Sequence, residues 1–378
     1  MILKITTWIS RLLFGVVFIF AGFTKAIDPL GSTYKFEDYF LAFNADWMLA
    51  LAFPMAFVLN VLELVIGFTV LLGIKMRLSA WGALLFMAFF TPLTFYIALT
   101  DPVPDCGCFG DAIIISNWDT FYKNIVILAA AIVLFIQRKK IPPLWSPFKD
   151  WIIVGVITFA VTALSVYCLR NLPVIDFRPW KIGNNVRELM VPTEEVADTY
   201  LIYKNSETGE KKEYPSDDFP WDDEQWLAKW EFVETRREII QPYLEAPIAD
   251  FEILDSEGFD FMESYIYYPD FLFIVAAHDL NTTHEKAFSD KINPFSRQAQ
   301  KAGKSFILLT GSSFQNIEAF ISAYDIQYNI YQTDAITLKT IIRSNPGLLL
   351  MKDGVVKAKW HHRNIPEFAK VAEKYFPK

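Results

Sequence analysis

Cysteine, histidine and basic charge are all scarce in this chain, and each shortage removes a class of function. Three cysteines and four histidines in 378 residues are too few for a disulfide-stapled scaffold. Nor is the four-ligand set that a structural zinc site needs visible around the cysteines, so no metal site is assigned. Lysine and arginine number 35 against 43 acidic residues, a net charge of −8. An acidic chain cannot exploit counterion release from phosphates, so nucleic acid is not an expected partner. No internal repeat is visible, which counts against a secondary transporter built from paired halves.

Long apolar runs, by contrast, are abundant, and 53% of the residues are hydrophobic. A bilayer core of about 30 Å takes roughly 20 apolar residues per helix. Five stretches qualify, at about 8–27, 49–72, 78–99, 121–136 and 151–169. The first is too long for a cleavable signal peptide, and no small-x-small site follows it. Lys4, Arg11, Lys75, Arg77, Arg138, Lys139, Lys140 and Lys149 fall at one set of ends, while the opposite loops, 28–47 and 100–120, are acidic or neutral. The positive-inside rule then puts the N-terminus in the cytoplasm and everything after residue 169 outside. In a bacterium that means the inner membrane, with the C-terminal region in the oxidising periplasm.

Glu63 lies near the middle of the second span. A carboxylate there costs roughly 2.5–3.5 kcal/mol on insertion scales and should face a partner or a cavity. Arg11 and Lys25 are the candidate partners, unless each snorkels to its own interface. The alternative is a protonated carboxyl that bonds a neighbouring helix. Gly15, Gly22 and Gly67 are expected to let helices approach closely.

The loop after the third span reads Asp105-Cys106-Gly107-Cys108-Phe109-Gly110-Asp111. Two thiols separated by one glycine close a small strained ring, and strain favours exchange over permanent stapling. Gly107 relieves the clash that closure would bring. No local residue lowers the thiol pKa, since Asp105 and Asp111 would raise it. Three readings stay open: a redox pair, a structural link involving Cys168 at the end of the fifth span, and metal binding. Cys168 is itself either a third member of a relay or an apolar filler.

These residues carry a resemblance. Arg11-x3-Gly15-x2-Phe18-x3-Gly22-x2-Lys25, Glu63-x3-Gly67 and Asp105-Cys-Gly-Cys-Phe-Gly110 resemble the MauE/DoxX family of redox-associated membrane proteins over the first 140 residues. The resemblance implies a four-helix bundle acting in periplasmic thiol–disulfide chemistry, with Cys106 and Cys108 as the redox pair. It also implies work beside a thioredoxin-like partner in maturing a disulfide-rich protein.

Beyond the fifth span (141–172), residues 173–245 read as a linker. Its proline-punctuated start is expected to lie on the bilayer surface with Phe177 and Trp180 in the interfacial belt. A β-hairpin turns at Gly209, and an acidic, partly helical stretch follows with Trp221, Trp226 and Trp230 packing locally. Residues 246–378 alternate strands with helices. Expected strands lie at 250–258, 271–276 and 305–310, a hairpin at 344–354, and helices at 293–302, 317–324 and 366–375. That order resembles a thioredoxin-like domain of the TlpA or peroxiredoxin type, with Asn345-Pro346 at the position of that fold's cis-proline. The stretch that should hold Cys-x-x-Cys, residues 276–285, has none, so thiol exchange by this domain is excluded unless a thiol arrives from elsewhere. His278 and His284 lack a third ligand, and His361-His362 reads as a solvated strand end.

The expected architecture is therefore a membrane α-helical bundle of four helices plus a fifth, with a C-terminal α/β thioredoxin-like domain. One reading of function is a thiol–disulfide maturation factor for periplasmic or envelope clients, passing electrons between Cys106 and Cys108 and a lipid-phase carrier such as a quinone, although no quinone motif is visible. A second is a scaffold that anchors a docking domain for an envelope complex. A third, a transporter using Glu63, has too few helices behind it.

Overall fold

Residues too apolar to leave lipid, and too regular to do anything but satisfy their own backbone, form the first half of the chain. The computed structural model describes residues 2–143 and 145–376. Among the described residues, five helices are long and apolar enough to cross a membrane, namely α1 (Ile2–Ile27), α3 (Ala52–Leu72), α4 (Met76–Thr100), α5 (Asn117–Gln137) and α6 (Pro147–Arg170). The chain is a membrane protein. α1 packs along α3 and α4 along α5, with α6 against α1 and α3. Small residues set the α1–α3 separation: a Cβ at Gly22 would stand 2.8 Å from the Leu64 nitrogen, and one at Gly67 2.8 Å from that of Ile19. Gly15 approaches Leu71 as closely, so all three glycines act as expected.

The loop expected at 28–47 is largely a helix, α2 (Pro29–Ala42), followed by a 3-10 turn, Asp46–Leu51. Asp28 caps it by accepting from the Gly31 N–H at 3.0 Å, and Pro29 starts its first turn, both strong start signals. α2 and the cysteine loop lie at the same end of the bundle as the exit of α6.

After α6, Phe177 is exposed but Trp180 is not free to sit in an interfacial belt. Trp180 is 1% exposed and packs against Phe251. Backbone bonds join Gly183 and Asn184 to Val356, and α7 (Val186–Leu189) follows, so this segment belongs to the α/β domain. The hairpin forms as β1 (Val196–Asn205) and β2 (Lys211–Pro215). The tryptophan stretch does more than link. α8 (Glu224–Leu227) leads into β3 (Trp230–Gln241), which pairs antiparallel with β1. Trp226 stacks on Trp230 and meets Tyr203, Tyr214 and Phe219 edge-on.

The C-terminal domain holds α9 (Met262–Ile266), β4 (Phe271–Ala277), α10 (Asn293–Lys301), β5 (Ser305–Thr310), α11 (Phe314–Tyr324), β6 (Asn329–Gln332), α12 (Ala335–Ile341), β7 (Gly347–Lys352), β8 (Val355–His361) and α13 (Phe368–Tyr375). The sheet order is β6-β5-β4-β7-β8, with β4, β5 and β6 parallel and β7 and β8 antiparallel. Every residue of β4 is buried, as an apolar run between two helical layers requires. Phe273 and Val275 face one core and Ile274 and Ala276 the other. Residues 250–258 make only isolated bridges through Leu254, because Asp255 and Asp260 fold the segment back on itself. β6 and α12 escaped sequence reading because each is too short for its period to show. The Asn345-Pro346 bond is cis.

His361 is 4% exposed rather than a solvated strand end. Burial, then neighbouring cations, lower His278 and His361 to about 4, and burial with His361 lowers His362 to about 3. Below about 6.5 the unfolded chain takes up protons that the folded domain refuses, so stability falls as pH drops through that window. The urea midpoint of the C-terminal domain should fall steadily between pH 6.5 and 4, and less steeply in His361→Gln/His362→Gln. A flat profile would contradict the burial of these imidazoles.

Candidate functional site

Helices α1, α2, α3, α4 and α5 enclose a small, mostly apolar chamber beneath the cysteine loop, into whose lining Lys25, Asn60, Glu63 and Lys123 are set. At its base Lys25 of α1 donates to Glu63 of α3, Nζ to Oε2 at 2.5 Å, with 14% and 6% of their side chains exposed. Burying a pair of opposite charges is tolerable where burying either alone is not. Asn60, one turn from Glu63, donates through Nδ2 to the Lys25 carbonyl and to Ser32 Oγ. Its Oδ1 faces no partner, although the residue is only 2% exposed.

Lys25 is therefore the partner of Glu63, and it does not snorkel. Arg11 is elsewhere. Its guanidinium donates to the carbonyls of Val70 and Leu71 and lies over Trp8. A cation at a helix C-terminus satisfies carbonyls that have no helical partner, so Arg11 is a cap for α3.

The cysteine loop closes the chamber from the domain side. Lys35 of α2 pairs with Asp105 at 2.8 Å, Asp105 accepts the Gly107 N–H, and the Tyr39 hydroxyl donates to the Cys106 carbonyl. Gly107 sits at φ +64°, where a Cβ would also press within 3.0 Å of Lys35. Both demands leave glycine as the residue for this position. Phe109 lies under Lys123 of α5 and against Phe20 of α1.

Held this way, Cys106 and Cys108 are free thiols with sulfurs 2.8 Å apart. The hydrogen bond between them pulls Cys108 down to about 6 against the cost of burial, with help from Lys123 and Lys25. The same bond, with burial, raises Cys106. The pair thus holds one proton on Cys106 and a thiolate on Cys108 near neutral pH. Sequence reasoning expected only the raising effect of Asp105 and Asp111. It missed the cations because Lys25 and Lys123 stand about 80 residues before and 15 after the motif. Cys168 is 3% exposed at the end of α6 and does not line the chamber, which leaves it as packing.

Beside the loop, the C-terminal domain docks on the bundle. Arg343, three residues before Pro346, bonds Asp28 and Asp111 at 2.8 Å each, with 7% of its side chain exposed. Lys339 pairs with Glu37 and covers Tyr34, and Tyr34 meets His278 edge-on. The stretch that lacks Cys-x-x-Cys is tied to the same corner, since the His284 N–H donates to the Asn345 carbonyl at 3.1 Å and Asn345 Nδ2 donates to that of Asp279. Among the described residues, no group of three or more His, Cys, Asp and Glu side chains is placed to hold a metal ion.

Residues 3–137, which span α1 to α5 almost end to end, match the family model described as methylamine utilisation protein MauE. The N-terminal part of the chain, α1 to α5, is MauE-like. No curated protein and no solved structure matches the chain. The match ends with α5 and does not reach α6 or the α/β domain. Its polar elements, Lys25, Glu63 and the cysteine loop, all lie inside the matched residues.

Two measurements probe this geometry. Alkylation of the reduced protein by iodoacetamide should be faster at Cys108 than at Cys106, with a pH midpoint near 6 that rises in Lys123→Met. Equal rates with a midpoint near 8.5 would contradict the shared proton. Arg343→Met leaves two carboxylates without their cation, so domain docking should weaken by about 3–5 kcal/mol, read as faster proteolysis around residues 171–180 with the bundle intact. Unchanged proteolysis would show that the contact is not held by Arg343.

Proposed function

We propose that this chain is a thiol–disulfide redox and maturation factor of the bacterial cytoplasmic membrane, with Cys106 and Cys108 as its exchanging pair. The observation that carries the reading is the pair of free sulfurs 2.8 Å apart over a buried ion pair. The clustering of basic residues at the bundle end away from the α/β domain supports an N-terminus in the cytoplasm and a domain in the periplasm. The four-strand run β5-β4-β7-β8, the cis bond before Pro346 and the docking of that loop beside Asp111 support a thioredoxin-like cap that has lost its own cysteines. Such a cap positions clients and leaves the chemistry to the membrane pair.

The chemistry balances as disulfide exchange. A client thiolate attacks the Cys106 sulfur of the oxidised pair, and the Cys106–Cys108 bond breaks. Cys108 leaves as the better-stabilised thiolate. The client's second thiol then displaces Cys106, which takes up the proton, and the client gains the disulfide. Reoxidation of the pair requires a two-electron acceptor.

A second reading draws on the β1–β3 sheet. Phe232, Val233, Ile239 and Ile240 on β3 are all exposed, and apolar groups on an edge strand invite a partner. In that reading the bundle anchors a docking domain for an envelope complex, and the cysteines are incidental.

The two part on one experiment. Cys108→Ser, whose lone Cys106 thiol can attack an oxidised client but has no neighbouring thiol to release it, should accumulate client adducts through Cys106, and client maturation should drop by tenfold or more. Wild-type maturation in Cys106→Ser/Cys108→Ser would remove the redox reading and leave the scaffold.

A further inference from the structure

Beside the thiol chamber lies a second cavity, an apolar groove of about 870 Å³ between α2, α3 and α4. Its walls carry a single polar side chain, Tyr39. Val58, Leu62 and Phe89, which form its mouth, are 55%, 49% and 65% exposed on the bundle's apolar outer surface. The groove and the chamber share Phe36, Tyr39, Leu59, Phe90 and Leu93 as a common wall. A path from the lipid-facing side of α3 and α4 to the sulfurs would have to pass only these five side chains.

The two ends of that path differ chemically. The outer end offers only aliphatic and aromatic contact over a volume typical of ligand sites. The inner end offers cationic donors, Lys25 and Lys123, and one acceptor without a partner, Asn60 Oδ1, on a side chain 2% exposed. A buried amide oxygen left unpaired costs about 1–3 kcal/mol unless something donates to it. With about 90 Å³ free, the chamber is smaller than the roughly 150 Å³ cavity known to hold a benzene ring. A ring lying in the groove would therefore enter the chamber by its polar edge alone, and only with the shared side chains turned aside.

We propose that the groove is the lateral entry and tail site of a lipid-phase quinone, whose ring oxygens reach the chamber at Asn60 and the lysines. The proposal rests on the redox reading of the cysteine pair and deepens it by assigning the electron acceptor a site. The exchange closes on both sides. Cys106 and Cys108 lose two electrons and the one proton they share as the S–S bond forms, and the quinone takes both electrons, that proton and a second from water on its two oxygens to become the hydroquinone. An acyl chain would fill the groove equally well but would leave Asn60 Oδ1 unpaired and the electrons without a destination.

The test uses the full-length protein, reduced, in detergent, with decylubiquinone as the probe and diamide as a water-borne oxidant. Wild type should form one Cys106–Cys108 disulfide per hydroquinone produced. Val58→Trp, which narrows the mouth without touching the chamber, should slow oxidation by decylubiquinone at least tenfold and leave oxidation by diamide unchanged. Asn60→Leu should raise the KM for decylubiquinone. Oxidation by diamide but not by decylubiquinone would overturn the quinone site while leaving the redox pair standing. Equal quinone rates in wild type and Val58→Trp would overturn the entry route and mark the groove as a lipid contact. Failure of both oxidants to close the ring would remove the redox reading itself, and the quinone site with it.

Discussion

An ammonium and a carboxylate cannot be left unpaired among apolar helices, and the mutual neutralisation of Lys25 and Glu63 is the constraint around which the bundle is arranged. α1 and α3 must lie close enough for a 2.5 Å contact, which is why glycines line their seam. Once paired, the two side chains need further polar company. Asn60, Ser32 and the cysteine loop supply it in a region that would otherwise be hydrocarbon. The chamber and the thiols above it share this cause. Cations placed to hold Glu63 and to cover Phe109 also reach the sulfur of Cys108.

The end of the bundle that faces the α/β domain repeats the theme at larger scale. Asp28 caps α2 and accepts Arg343 with the same carboxylate. Asp111 belongs to the cysteine loop and accepts the other edge of the same guanidinium. A planar fork with fixed donors suits two carboxylates better than a lysine would. The loop that carries the thiols and the loop that carries Pro346 are thereby fixed to one another, and movement of either is felt by its partner.

Much of this was legible in the sequence, and the failures have physical reasons. The five spans stand out because lipid demands long apolar runs, and Glu63 stands out because lipid penalises charge. Cys-Gly-Cys is conspicuous at any distance. α2 went unread as a helix because its composition is that of a loop, and only Asp28-Pro29 marks its start. Trp180 was misplaced because a tryptophan suits a membrane interface and a domain core equally well, and sequence shows no contacts. β3 was taken for linker since both its faces are exposed and alternation is absent. Lys123 and Arg343 are ordinary surface-type residues in the sequence, and their roles exist only through long-range packing.

The claim on which the account stands is that two sulfurs alternate between dithiol and disulfide on the side of the membrane that carries the α/β domain. Differential thiol labelling in native membranes measures this directly, by blocking free thiols with a membrane-impermeant maleimide before reduction and a second label. The account predicts that Cys106 and Cys108 are mostly oxidised at rest, become reactive to the impermeant reagent after brief reduction, and return to the oxidised state when the reductant is removed. A pair that stays permanently reduced, or that reacts only when the reagent is admitted to the cytosol, would contradict it.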